Sequence, residues 1–384
     1  PSGNGMVVLQ ITIAIGLSIA AVSAFRQLEY MQEYDIGFDK EEVFVAQVSW
    51  VKRNHVVSLM DELRKIPGVV DVTGALRRLG DPIDQNGVIF HSTDHQAVQL
   101  PATTMFVDYN FVPFYGIELL AGRNISPEYG NDARGNSYLI NESMAKKLLG
   151  YTAEPKAALN SLIGQGFRYQ FQDSLGTIVG IMRDFNFNSL HHEVEPLCLT
   201  YQFDYYFKEL SIRVDNEHIA ETLSQIETKW KEMLPTQELE YRFLDEQLDQ
   251  LYKTDRQVGQ LMGVLTFLAI FISCFGLFGL ALYNTKRRVK EIGIRKVFGA
   301  NVSAIVMLLS YGFVRLVGIA FFVATPIAWW AVRNWLENFA YRIDLAWWLF
   351  VLAGLAAMVI ALLTVIWQAI SAAMTNPVKS LRSE

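Results

Sequence analysis

The chain has 384 residues, of which 51% are hydrophobic and 19% charged, so a single water-soluble body would have to hide an unusual amount of apolar surface, and the apolar residues are expected in blocks. A formal net charge of −6 and a pI of about 5.6 exclude the basic footprint that nucleic acid requires. Two cysteines, Cys198 in a polar region and Cys274 in an apolar run, exclude a disulfide framework and point to two different compartments.

The sequence starts Pro-Ser-Gly-Asn-Gly and runs at once into apolar residues, without the basic region and cleavage site of a signal peptide. It reads as a piece of a longer polypeptide or as a trimmed one. A hydrocarbon core of roughly 30 Å needs about 20 apolar residues of helix, because no water is present there to satisfy bare backbone groups. Met6 to Phe25 meets this length, and residues 1–25 are read as a first transmembrane helix. Leu28, Met31 and Gln32 continue the helix outward over Arg26 to Asp35.

Residues 26–257 form the large polar region, expected to be an α+β extracytoplasmic domain. Two strand-helix-strand units bracket it, at about 42–79 and 208–245. In the first, strand formers run from Glu42 to Trp50; Val56, Leu59, Met60, Leu63 and Ile66 then recur at helical spacing until Pro67-Gly68, and Val69 to Val72 resumes a strand. In the second, Leu210 to Val214 is a strand, Asn216 caps a helix buried through Ile219, Leu223, Ile226, Trp230 and Met233, and Leu239 to Leu244 is again a strand. Pairing them in one sheet places both helices on one face. The insertion between them, about 80–207, carries a strand at Tyr138 to Ile140, a short helix capped by Asn141 and ending at Gly150, and a strand at Thr177 to Ile181. From Asp245 to Gln257 the chain is polar and helix-prone, with Leu248, Leu251 and Val258 nearly in register, which predicts a stalk (246–257) continuous with the next span.

Residues 258–384 hold three further spans: Val258 to Tyr283, Leu316 to Val332 and Trp347 to Ile370. Together with the first they make an all-α, four-helix transmembrane domain. Lys286, Arg287, Arg288, Lys290, Arg295 and Lys296 against the single acid Glu291 place the connection between the second and third spans in the cytoplasm. Both termini are then cytoplasmic and the polar region lies outside. The next connection is balanced, with Arg333 and Arg342 against Glu337 and Asp344. Arg315 follows an amphipathic stretch, Val302 to Val314, expected to lie along the inner interface so that the guanidinium reaches the headgroups. Pro326 is expected to kink the third span, and Gly259 with Gly263 offers close helix approach.

Catalytic signatures are missing. No Gly-Lys pair exists, so the phosphate cradle GxxxxGK[ST] is absent, as is Gly-x-Ser-x-Gly. His191, His192 and Glu193 lack the spacing of a metal site. What stands out instead is the cytoplasmic connection at 286–300, a short basic helix with Val289, Ile292, Ile294, Val297 and Phe298 as its apolar residues and Gly299 as its close. Membrane topology needs the charges but not the apolar residues, so another surface is expected to pack there.

The segment Lys290-Glu-Ile-Gly-Ile-Arg-Lys-Val-Phe-Gly-Ala300 resembles the corresponding stretch of the MacB/FtsX superfamily of ABC permeases. So do Val179-Gly-Ile-Met-Arg-Asp-Phe-Asn-Phe187, Asn376-Pro-Val-Lys-Ser-Leu381 and the order span, outer domain, three spans. The resemblance implies a bacterial inner-membrane permease with a two-part periplasmic core domain. It also implies a coupling helix in which Arg288, Lys290, Glu291, Ile292, Gly293, Ile294, Arg295, Lys296, Val297, Phe298, Gly299 and Ala300 dock on a cytoplasmic ABC ATPase. ATP and Mg would bind in that partner, with no cofactor on this chain, and ATPase closure would pass through the helices to the outer domain, a mechanism called mechanotransmission. Four-span members work as pairs, which implies a homodimer or a second permease half, with membrane lipid around the spans and a periplasmic adaptor as a further partner. Export, including efflux, or extraction of a substrate is the leading expectation. Regulation of a cell-wall hydrolase, as in FtsX-like members, is the alternative.

Overall fold

The computed structural model describes residues 2–49, 53–80, 85–91, 97–150, 156–201, 207–288, 291, 294–295, 298 and 301–373. The chain divides into two compact units, Tyr34–Tyr252 and Pro1–Glu33 with Lys253–Glu384. Helix α1 (Ser2–Glu33) runs unbroken through the first apolar stretch and its polar extension.

In the outer unit, β1 (Val43–Gln47), α2 (Arg53–Leu63) and β2 (Val69–Ala75) form the first strand-helix-strand unit. Val56, Leu59, Met60 and Leu63 recur every three to four residues, and all are buried. Burial of each contributes about 1.5–3 kcal/mol, which is what fixes a helix whose own propensity is ordinary. The insertion follows as β3 (Asn86–His91), β4 (Ala97–Phe106), α3 (Phe111–Phe114), β5 (Leu119–Gly122), α4 (Gly130–Ala133), β6 (Ser137–Asn141), α5 (Glu142–Leu148), α6 (Lys156–Asn160), β7 (Gly166–Tyr169), β8 (Gly176–Met182) and β9 (Leu197–Thr200). The second unit is β10 (Glu209–Val214), α7 (Ile219–Met233) and β11 (Tyr241–Phe243), after which α8 (Leu244–Leu251) ends the domain.

The two units share one antiparallel sheet, ordered β11-β1-β10-β2. Val43 to Gln47 pairs with Arg213 to Glu209, and β10 pairs in turn with β2. Side chains alternate across a strand. Ser211 and Arg213 turn to one face, where Ser211 Oγ accepts from Tyr115 Oη at 2.6 Å and Arg213 donates to the Phe114 carbonyl. Leu210, Ile212 and Val214 turn to the other, which α2 and α7 cover through Leu59, Met60, Ile226 and Trp230. The helix cap differs from expectation: Asp215, not Asn216, accepts the amide of Glu217, and residues 216–218 form a 3-10 turn before α7. The last strand is also shorter than Leu239 to Leu244, since only Tyr241 to Phe243 reaches β1.

The insertion holds a sheet of its own, ordered β5-β8-β6-β9-β4-β3-β7. Strand β7 also pairs with the start of β8, Gly166 with Thr177 and Phe167 with Gly176, so the sheet returns on itself around Val88, Phe90, Tyr138, Ile140 and Phe167. Leu76 and Asp108 amides bond the Phe106 and Gly74 carbonyls, stitching this sheet to β2.

The membrane unit continues with α9 (Lys253–Arg287), α10 (Val302–Leu336) and α11 (Trp347–Ala373). Among the described residues, four helices, including α1, are long and apolar enough to cross a membrane. Val7, Ile11, Ile15 and Ile19 of α1 pack with Leu277, Ala281, Val317, Ala320 and Val365. Gly259 and Gly263 face α1, where an added Cβ would lie 3.3 Å from Leu28 and 3.7 Å from Phe25. Two expectations are corrected. Val302 to Val314 is not a separate interfacial stretch but the first part of α10, which continues through Arg315 and Pro326 to Leu336; an exposed arginine on such a helix reaches the headgroups along its own stem and needs no chain break. The stalk is not continuous either, because Tyr252, at φ −101° and ψ 10°, separates α8 from α9.

Candidate functional site

The basic end of α9 leads into the proposed coupling segment. The Arg287 guanidinium lies 5.2 Å from the Tyr283 ring centre, and the Arg288 amide donates to the carbonyls of Asn284 and Thr285. Beyond it, Glu291, Ile294 and Arg295 are helical, and the Phe298 amide donates to the Ile294 carbonyl at 3.1 Å. Arg295 donates to Glu291 at 3.0 Å across one turn, an exposed pair that adds about 0.3–0.5 kcal/mol to the helix. Ile294 is 50% exposed and Phe298 86%. Of the predicted residues, Arg288, Glu291, Ile294, Arg295 and Phe298 are thus placed on or beside a helical turn. Lys290, Ile292, Gly293, Lys296, Val297, Gly299 and Ala300 lie outside the described residues.

The second family-like segment, Val179 to Phe187, runs from β8 into a loop that holds both chain connections of the outer unit. On the incoming side, the Asn186 amide donates to the Ile36 carbonyl at 2.8 Å, and Phe38 packs edge-on against Phe185. Gly37 sits at φ +81°, and a Cβ there would lie 2.9 Å from the Asp184 carbonyl oxygen; only glycine takes that backbone without strain. On the outgoing side, the Gly80 amide donates to the Phe187 carbonyl, and Gln247 on α8 donates to the Leu79 carbonyl. Three residues on, the buried Leu190 amide donates to Tyr252 Oη at 3.1 Å, while His191 stacks on the Tyr252 ring. Leu190 and Tyr252 escaped the sequence reading, and so did the conformational demand at Gly37, although Asp35-Ile-Gly37 carries the turn signal.

Three buried or partly buried titratable groups of this unit owe their shifts to packing contacts. Burial pushes the Asp132 carboxyl up, but hydrogen bonds from Arg123, Ser137 and the Ser126 amide together outweigh it and hold it below the ordinary carboxylate range. Asp184 has the opposite balance: burial raises it more than the two bonds from Ser143 lower it. Burial also pushes the Cys198 thiol up to about 12, with Thr104 Oγ1 beside it at 3.1 Å, so the sulfur is inert rather than nucleophilic. His191 pairs with Ser189 within its loop, and no group of three metal-ligating side chains occurs among the described residues.

Two family models match the sequence. The MacB-like periplasmic core domain covers residues 5–226, more than half of the chain, and the FtsX-like permease C-terminal domain covers residues 263–377. No curated protein matches significantly. Among solved structures, the periplasmic region of MacB from Actinobacillus actinomycetemcomitans aligns at 12% identity and a TM-score of 0.39, covering 58% of this chain and 98% of that one. A permease-protein domain from Porphyromonas gingivalis aligns at 17% identity and a TM-score of 0.35, over 53% and 90% of the two chains. The extracellular domain of the noncanonic ABC-type transporter YknZ from Gram-positive bacteria gives 12% and 0.35, over 52% and 97%. With four helices fit to cross a membrane, an α+β domain between the first two and both family matches in chain order, the chain belongs to the MacB/FtsX-type family of ABC transporter permeases.

Proposed function

We propose that this chain is the permease subunit of an ABC transporter in which a separate cytoplasmic ATPase drives movement of the outer unit, for export or extraction of a substrate. The observation that carries this reading is the loop from Arg183 to His191. It bonds the chain just after α1 through Ile36 and just before α9 through Tyr252, and it continues directly from β8. A displacement arriving along either connection is thereby delivered to the same sheet. The basic residues at 286–288 support a cytoplasmic coupling segment, with both termini on the same side of what would be a bacterial inner membrane. ATP and Mg bind in the partner, and the permease acts as a homodimer or with a second permease half, leaving the outer unit to a periplasmic adaptor.

Exposed Ile294 and Phe298 are the apolar residues that dock on the ATPase, with Glu291 and Arg295 setting register at the rim. Ile294→Asp or Phe298→Asp places an unpaired charge in a desolvated contact, at a cost of about 2–5 kcal/mol. In membranes that contain the cognate ATPase, each variant is expected to insert normally but lose ATPase association and transport. Survival of both functions would reduce the segment to a topological signal.

A further inference from the structure

The connection after the third span is charge-balanced, with Arg333 and Arg342 against Glu337 and Asp344. Leu336 ends the apolar α10 and Trp347 begins α11, so residues 337–346 are where the chain surfaces from the hydrocarbon. Arg333, Glu337, Arg342 and Asp344 line one cleft there of about 230 Å³, with Trp329 and Leu345 among its apolar walls. The backbone of this connection is fixed. Gln27 of α1, fully buried, donates through Nε2 to the Tyr341 carbonyl at 2.8 Å and accepts the Ile343 amide at 2.9 Å, so Arg342 is held between two anchors. The Arg333 guanidinium lies over Trp329 at 5.1 Å and 3.8 Å from Glu337. Arg342 and Asp344 bond neither each other nor any other described residue. Five of the eight tryptophans, Trp329, Trp330, Trp335, Trp347 and Trp348, flank the connection, as expected of side chains with an apolar body and a polar edge at a membrane surface.

We propose that this cleft holds the headgroup of a zwitterionic phospholipid with a primary amine, its phosphate on Arg342 and its ammonium on Asp344 and Glu337. A purely anionic headgroup would meet two carboxylates, and a cationic one two guanidiniums. A zwitterion satisfies both signs. Guanidinium matches phosphate with two parallel N–H donors, and carboxylates reward an ammonium that carries N–H donors over a trimethylated one. The acyl chains would stay in the bilayer beside the apolar wall.

The test uses the full chain in vesicles of phosphatidylcholine mixed with either phosphatidylethanolamine or phosphatidylglycerol, followed by native mass spectrometry of the lipid that stays bound. Retention of phosphatidylethanolamine about tenfold above the other two is expected, a difference of about 1.4 kcal/mol. Arg342→Gln should lower that retention about tenfold, and Asp344→Asn should erase the preference over phosphatidylcholine. Both positions are exposed, so neither change threatens folding. Equal retention of all three lipids, or stronger retention of phosphatidylglycerol, would each overturn the assignment.

Discussion

Tyr252→Phe separates the two things that Tyr252 does. Its ring is buried and stacks on His191, and phenylalanine keeps both. Lost is the hydroxyl that accepts the Leu190 amide at 3.1 Å. Leu190 is fully buried, so the orphaned N–H costs about 1–3 kcal/mol, the desolvation penalty of an unpaired backbone donor. That energy is local, and it raises the open population of the loop about 5- to 150-fold. Hydrogen exchange on the full chain should therefore speed up by that factor in peptides covering 188–192, while α2 exchanges as before. Transport should fall while ATPase association persists. Unchanged exchange at 188–192 would show that the hydroxyl carries no restraint, and faster exchange throughout the outer unit would show a fold defect rather than a released clasp.

Gly37→Ala combines a disfavoured backbone conformation with a contact to the Asp184 carbonyl, so a stability loss of about 1–3 kcal/mol is expected, read as a lower thermal midpoint; a midpoint within error of the parent would show that the loop yields freely. Asp132→Asn should destabilise by about 2–3 kcal/mol, between the values for exposed and buried pairs, because the carboxylate is fully buried but the Arg123 side chain is 36% exposed. Since the folded carboxyl is held low, its contribution is full above the unfolded value near 3.9 and disappears as pH falls through the folded value, so the gap between parent and variant should close in acid. Asp184→Asn should do the reverse: its raised carboxyl opposes folding above its folded value and is relieved as pH falls, so at neutral pH the variant should match or exceed the parent, and a large loss would contradict this. Inserting Gly-Ser-Gly after Tyr34 adds slack of about 9–10 Å between α1 and Ile36; it should spare the fold and ATPase association but abolish transport, and retained transport would contradict the role given to the two connections.

The spans and the paired strand-helix-strand units were legible because each rests on a short-range pattern. Met6 to Phe25 needs only a count, and Val56, Leu59, Met60 and Leu63 need only a period. The closed sheet of the insertion has no such signature. Strands β5, β7 and β9 are four residues long, and pairing across large sequence gaps defines β5 and β9 and the β3 side of β7. Strand β4 even contains Pro101, a breaker by local rules. Its pairing with β9 starts only at Thr103, so the proline falls where one edge of the strand is open and a missing N–H costs nothing. Tyr252 is the converse case: the register of Leu248, Leu251 and Val258 favours an unbroken helix, and the break appears only where the Leu190 loop holds the side chain.

The same distinction explains why the two family-like segments read so differently. The coupling segment announces itself, because exposed apolar residues among basic ones are unusual on a loop, and their type is the signal. Val179 to Phe187 carries no such contradiction. Its aromatic residues look like ordinary core, and as side chains they are: Phe185 and Phe187 are buried. Its distinguishing contribution is made by backbone groups, the Asn186 amide on Ile36 and the Phe187 carbonyl on Gly80, which residue type does not reveal. In the proposed stroke this is the right material for the task. On the incoming side the restraint is a backbone bond, which has no rotamer to slip, and on the outgoing side it is the Tyr252 hydroxyl, carried on a buried ring. Only Tyr34 and Asp35 separate α1 from Ile36, and only Tyr252 separates α8 from α9. Connections this short leave little chain in which a displacement could be absorbed before it reaches the loop, and that is the physical condition for driving an outer domain from the membrane.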